Sequence, residues 1–473
     1  IISATQRFQR SALMSDKEHP LTFRQEIIQP LTDSIRAGES CALVGVGSSG
    51  KSNIARFMRD RADARQTYFT DITDRVLWLM VDCNALDNYE ETSLYAAMID
   101  SLVRELSKRE DAAKAASLLD NLLGETVTFR HLQRAVEAVR AAGDYLIVFV
   151  LDDCDALIAS AQSVLLRRLR ALRDEFKTKL MYVTVTRREL HLLRPPSPEF
   201  ETFYEIIVVR TFAVGPYSFD DAAFMLDRLA SRLPQPRKLD HLEISRLIEV
   251  TGGHAGLLKA SFYATRAGEE ALESNLIETL INNAGVMDDA RKIWESVEGF
   301  EQEGLMAVVG GKAIKGTARD ALLARGLIRE STDDSHAIFC PVFEAFVAQK
   351  ANIPLSGLSF ARMQIEAKGI PEIRVYGSSN AKRVRVGDKL VEGFNRVELE
   401  LLSLLVEKRG QEVTRAELLE SALVAETESP TGWGKIDQVA DRAIIEIRKK
   451  IEPGNILRPY IISTPNGGYS LVR

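Results

Sequence analysis

One run of eight residues constrains this chain more than any other: Gly45-Val46-Gly47-Ser48-Ser49-Gly50-Lys51-Ser52, directly after the short apolar stretch Cys41–Val44. A strand, then a glycine loop, then a helix is an order in which backbone N–H groups can close around an anion, aided by the unpaired N–H groups and dipole of the helix start. Gly45, Gly47 and Gly50 let the backbone approach phosphates closely, and Val46, Ser48, Ser49 and Asn53 belong to the same nucleotide-binding set. Lys51 is expected to neutralise the β and γ oxygens of ATP, or the β oxygens of ADP, and the Ser52 hydroxyl to ligate Mg²⁺. A glycine-rich turn without a ligand is the alternative.

Such a loop needs a sheet behind it. Apolar runs predict further strands at Val76–Val81, Tyr145–Leu151, Leu180–Val185 and Tyr204–Val209, separated by helical patterns at Ser93–Leu106, Thr128–Ala142 and Ser163–Phe176. Strands alternating with helices imply an α/β domain with a doubly wound parallel sheet. Tyr145–Leu151 is apolar on both faces, as a central strand covered by helices should be. At its C-terminal end, where open α/β sheets place ligands, Asp152 is expected to reach Mg²⁺ through water and Asp153 to polarise the attacking water. Asp155 reads as a helix cap. Thr186 and Arg187 close the next strand, and Arg187 is a candidate sensor of the γ-phosphate, with Arg188 its adjacent competitor. Lys51, Asp152, Asp153 and Arg187 are the expected catalytic set.

A length of 473 residues exceeds one hydrophobic core, so several domains are expected. The spacing predicts an α/β ATPase domain over 1–212, a helical lid over 213–285, a winged-helix-like unit over 286–350, a linker over 351–372 and a last unit over 373–473. No run of about 18 apolar residues offers a membrane span, and the four cysteines have no C-x-x-C spacing to suggest a zinc site. A reducing cytoplasm fits best. The net charge of -6 gives no bulk case for nucleic acid, so any DNA contact must be local.

The stretch from about Thr22 to Lys350 resembles the STAND branch of AAA+-related signalling ATPases, including NB-ARC-like and archaeal-type members. The resemblance is carried by the phosphate loop, Leu151-Asp152-Asp153-Cys154-Asp155, Thr186-Arg187 and Thr251-Gly252-Gly253-His254-Ala255-Gly256-Leu257-Leu258. Ala255 stands where that family's lid motif has proline, and Cys340, near His336, where a histidine often faces the β-phosphate. The resemblance implies a switch that is closed with ADP and opens or self-associates with ATP, hydrolysing slowly, and it makes His254 a candidate nucleotide contact.

Beyond the linker, Arg374–Tyr376, Val384–Val386, three helical patterns and the pair Tyr460–Ser463 and Tyr469–Val472 around Asn466-Gly467 resemble the OmpR-type winged helix of response regulators. In its third helix Ala440, Ala443, Ile444, Ile447 and Ile451 form one apolar stripe, which turns Gln438, Asp441, Arg442, Ile445, Arg448 and Lys449 outward. Arg448 and Lys449 are expected at DNA phosphates, Gln438 and Arg442 at base edges, with Ile445 on the same face. A solvated charged face is the alternative. The overall expectation is therefore a P-loop NTPase sheet with helical lid and winged helix, followed by an OmpR-like winged helix-turn-helix. Its function would be an ATP-gated regulator of transcription that binds double-stranded DNA and self-associates with ATP, with a protein as trigger or partner. The alternatives are an origin-recognition-like DNA-loading ATPase and a defence or signalling protein whose winged helix grips a protein.

Overall fold

The computed structural model describes residues 18–109, 113–120, 126–271, 276–330, 336–354, 372–377, 382–426, 439–451, 460–463 and 468–471. Its first half is built on five parallel strands, β1 (Cys41–Val44), β2 (Val76–Asp82), β3 (Leu146–Asp152), β4 (Leu180–Thr186) and β5 (Thr211–Ala213), in the order β2-β3-β4-β1-β5. This is the P-loop NTPase fold, with β1 and β3 separated by β4.

Alternation along β3 shows how both faces are closed. Ile147, Phe149 and Leu151 enter one apolar cluster with the helices Glu91–Leu106, Phe129–Ala142, Ser163–Phe176 and Pro198–Val208. Val148 and Val150 enter another with the helices Gln25–Arg36 and Lys51–Asp60 and with Phe219–Ser231 and His241–Thr251. Every residue of β3 is buried, so its backbone polar groups must be met by neighbouring strands, and pairing with β2 and β4 does this.

One strand differs from the sequence expectation. Tyr204–Val209 is not the fifth strand: residues Pro198–Val208 form a helix, and the strand is Thr211–Ala213. β-branched residues suggested extension, but Ser197 caps the helix through the Phe200 N–H, Pro198 suits its first position, and Phe200, Phe203 and Ile207 bury one helical face.

The helices Phe219–Ser231, His241–Thr251 and Ala255–Ala264 follow β5. A third apolar cluster gathers the helices Ala284–Glu295, Gly299–Val309, Thr317–Ala324 and Pro341–Lys350 with the hairpin β6 (Ile328–Glu330) and β7 (His336–Ile338). Val46 of the glycine loop belongs to this cluster. The last unit has the antiparallel strands β8 (Ile373–Tyr376), β9 (Arg383–Val386) and β10 (Lys389–Val391), helices Arg396–Glu407, Arg415–Glu426 and Val439–Ile451, and the pair β11 (Ile461–Ser463) and β12 (Tyr469–Leu471). Ala440, Ala443, Ile444, Ile447 and Ile451 are buried in its core. Among the described residues no helix is long and apolar enough to cross a membrane.

Candidate functional site

The loop Gly45–Gly50 leaves the C-terminal end of β1, and Lys51 opens the helix Lys51–Asp60. Gly50 sits at φ +91, and a Cβ there would lie 2.7 Å from the Tyr217 hydroxyl, so both backbone and space require glycine. No side chain caps this helix start, and although the Asn53 N–H turns to the Gly50 carbonyl at 3.0 Å, the dipole of the helix start favours an anion there. Lys51 Nζ donates to the carbonyl oxygens of Gly45 at 2.7 Å and Val46 at 3.0 Å, stitching the ammonium across the loop. An ammonium has three donors, so one remains. Burial pushes the Lys51 pKa down to about 8, against the pull of Asp155 and Asp153.

The donor set fits the group it would hold. Ser52 Oγ donates to Asp152 Oδ1 at 2.9 Å, which brings a hydroxyl and a carboxylate to one point beside the loop, the oxygen ligands that Mg²⁺ prefers. Burial raises the Asp152 pKa, and the Ser52 hydrogen bond opposes this. Ser49 Oγ is buried without a hydrogen-bond partner.

Asp153 lies at φ 49 and its Oδ2 accepts from Asn84 Nδ2 at 3.1 Å, just beyond β2. Asp155 is the first residue of the helix Asp155–Ser160, and its Oδ1 accepts the Arg187 N–H at 2.9 Å, tying the ends of β3 and β4 together. The two arginines after β4 part company. Arg187 is exposed and close enough to Lys51 to act on it electrostatically. Arg188 turns to the third cluster, donating to the Glu295 carbonyl at 2.8 Å and pairing with Glu298 at 3.0 Å.

That cluster also reaches the glycine loop itself. The Gly47 N–H donates to Ser296 Oγ at 2.8 Å, and the Ser296 hydroxyl in turn donates a hydrogen bond to the Lys292 carbonyl. Ser48 Oγ donates to Asp289 Oδ1 at 3.0 Å. The segment Gly252–Gly256 holds the loop from another side: the Gly256 N–H donates to the Ser48 carbonyl at 3.0 Å, and a Cβ on Gly256 would lie 2.5 Å from Ser48 Cβ. His254 is wholly buried, and its Nδ1 accepts the Leu257 N–H, so Nε2 carries the proton and donates to the Gly47 carbonyl at 3.0 Å. Burial takes its pKa down to about 4, so the ring is neutral. Cys340 packs with Phe339 against the Gly252 turn.

Arg24 was missed from sequence. It is buried, at φ 46, and its guanidinium donates to the carbonyls of Pro216 at 2.8 Å, Gly215 at 2.7 Å and Ser49 at 3.1 Å while lying 4.4 Å from the Tyr217 ring centroid. It thus staples the glycine loop to the segment between β5 and the helix Phe219–Ser231. Asn53 Nδ2 donates to the Tyr217 hydroxyl at 3.0 Å on the same side. Ser296, Asp289 and Asn84 were also missed. A serine or asparagine distant in sequence carries no signal of where it lands, whereas a lone arginine just before an amphipathic helix offered a weak one.

Of the residues expected at DNA, Gln438 lies outside the described residues, as do the side chains of Arg442, Ile445 and Lys449 and the turn residues Asn466 and Gly467. Arg448 is described and is half-buried in contacts taken up below.

No protein-family model matches the chain, and no curated protein matches it. Among solved structures it is similar to the Walker-type ATPase of Pyrococcus abyssi, at 17% identity over 71% of this chain and 99% of that one, with a TM-score of 0.44. It is similar to Cdc6p from Pyrobaculum aerophilum at 16% identity, 83% and 94% coverage and a TM-score of 0.34. The Aeropyrum pernix Orc1 protein, solved in complex with DNA, is matched at 14% identity, 85% and 94% coverage and a TM-score of 0.36.

Proposed function

We propose that this protein is a STAND-type switch that binds ATP or ADP with Mg²⁺, hydrolyses ATP slowly, and controls a C-terminal winged helix that binds double-stranded DNA. The observation that carries the reading is the docking of the third cluster on the glycine loop through Ser296, Asp289 and the Gly47 and Ser48 groups they hold. A phosphate chain in the loop and this docking draw on the same short segment. Hydrogen bonds of this kind contribute about 0.5–1.5 kcal/mol each, so two of them match the roughly 1–3 kcal/mol of typical site-to-site coupling. Loading the loop can then shift the closed form without a large expense of binding energy.

Lys51 binds the phosphates, and Ser52 and Asp152 hold Mg²⁺, which neutralises phosphate charge when bound. Asp153, kept in place by Asn84, orients the water. Asp153→Asn is expected to lower hydrolysis about 100-fold, in the range of a lost acid–base group, with nucleotide affinity unchanged in calorimetry; equal turnover would remove Asp153 from the reaction. Because the free Lys51 pKa is about 8, affinity should be level below that pH. Above it, binding must protonate the neutral Lys51 amine, so affinity should fall up to about tenfold per pH unit, with proton uptake detectable in buffers of different ionisation heat.

The switch itself is tested by mass in solution with ADP and with a slowly hydrolysed ATP analogue, for the native chain and Lys51→Ala, together with duplex DNA binding over a salt series. Nucleotide-dependent mass and salt-sensitive DNA binding are expected in the native chain alone. Identical masses in every state would sink the switch. Rings or filaments encircling DNA would instead favour an origin-recognition-like loader, and a protein captured after nuclease treatment would favour a signalling role.

A further inference from the structure

Arg448 lies on the helix Val439–Ile451 and is oriented first by its own unit: Nε and Nη2 donate to the Ile461 carbonyl at 3.1 and 2.8 Å, and the guanidinium lies 5.6 Å from the Tyr469 ring centroid. The same group then pairs with Asp220, Nη2 reaching Oδ1 at 3.3 Å and Nη1 bonding Oδ2. Asp220 stands in the first turn of the lid helix Phe219–Ser231, against which β11 also packs. The Arg448 and Asp220 side chains are only 18% and 32% exposed, so the pair is partly withdrawn from water and less screened than a surface ion pair. A forked contact of two carboxylate oxygens with one guanidinium is also how arginine meets phosphate. Asp220 therefore occupies the direction in which Arg448 would grip a nucleic-acid backbone.

The lid end of this pair is two contacts from the glycine loop. Asp221, the neighbour of Asp220, accepts the Arg24 N–H at its Oδ2, 3.4 Å away, and the Arg24 guanidinium donates to the Ser49 carbonyl inside the loop. A shift of the loop or of the Gly215–Tyr217 segment held by Arg24 moves the start of the lid helix, and with it Asp220.

We propose that the Arg448–Asp220 pair is an internal latch: Asp220 mimics a DNA phosphate and holds the helix Val439–Ile451 against the lid, and nucleotide-driven movement of the Arg24-stapled segment releases Arg448 to duplex DNA. The latch rests on the DNA-binding reading for its consequence and on the contact alone for its existence, and the test separates the two. On the full chain, small-angle scattering reads the radius of gyration, and anisotropy reads affinity for a short mixed-sequence duplex with ADP present. Asp220→Arg repels Arg448, so the chain should expand and bind duplex about tenfold more tightly, because a larger fraction is competent. Asp220→Ala, a milder change, should do the same to a smaller extent. Restoring the attraction with Asp220→Arg and Arg448→Asp together should return the native radius. An unchanged radius in both single variants overturns the latch, even where the native chain binds DNA. Expansion that the double swap reverses, with no duplex binding by any variant in ADP or the ATP analogue, upholds the latch and overturns the DNA reading.

Discussion

Lys51→Ala is expected to weaken ATP and ADP binding by at least about a hundredfold, as for truncation of one partner in a buried, hydrogen-bonded charge pair. Lys51 is 5% exposed, so water has little room to replace its ammonium at the phosphates. Thermal stability without nucleotide should hardly change. Truncation deprives the Gly45 and Val46 carbonyls of a donor, but it also relieves a burial cost large enough to drag the lysine pKa down to about 8. These effects oppose each other at about 2–4 kcal/mol apiece, the first from two unmet carbonyls and the second from the displaced pKa. Titration calorimetry and a melting curve on the same preparation check both halves; full nucleotide heat from Lys51→Ala would leave the loop without a role in binding.

Arg24→Ala should cost the most stability, about 3–5 kcal/mol in urea or thermal unfolding, because a buried guanidinium leaves three carbonyls behind and unmet buried groups cost about 1–3 kcal/mol each. Its contact with the Tyr217 ring is lost as well. Arg24→Lys should recover little, since one ammonium cannot reproduce a planar fork that meets Pro216, Gly215 and Ser49 together. The loss should carry into function, for Ser49 is in the glycine loop and the Asp221 carboxyl lies against Arg24. Near-native unfolding by Arg24→Ala would show that the staple is replaceable by water.

Much of the candidate site was legible in the chain because it is local. Gly45 to Ser52 are consecutive, and the loop's geometry follows from glycine conformational freedom and the helix start. Ser52 and Asp152 stand a hundred residues apart, and the expectation that both lie beside one ion rested on each being at the C-terminal end of a parallel strand or past it, where the sheet brings such ends together; their direct hydrogen bond was not foreseen. The edge strand was misread because Tyr204-Glu205-Ile206-Ile207-Val208 satisfies strand propensity, while its cap and helical burial pattern depend on the neighbouring helix Ser163–Phe176.

By itself, then, the amino-acid order determined the α/β alternation, the phosphate loop, the carboxylates after β3 and the apolar stripe of the last helix. These follow from turn chemistry and from periods of two and 3.6 residues, which act over a few neighbours. Only the tertiary structure decided what sits on the loop: Ser296 meets Gly47 across 249 positions and Arg448 meets Asp220 across 228. Such partners are ordinary polar residues in their own stretch of chain. They acquire a role only when the packing of separate apolar clusters brings their atoms within hydrogen-bond reach.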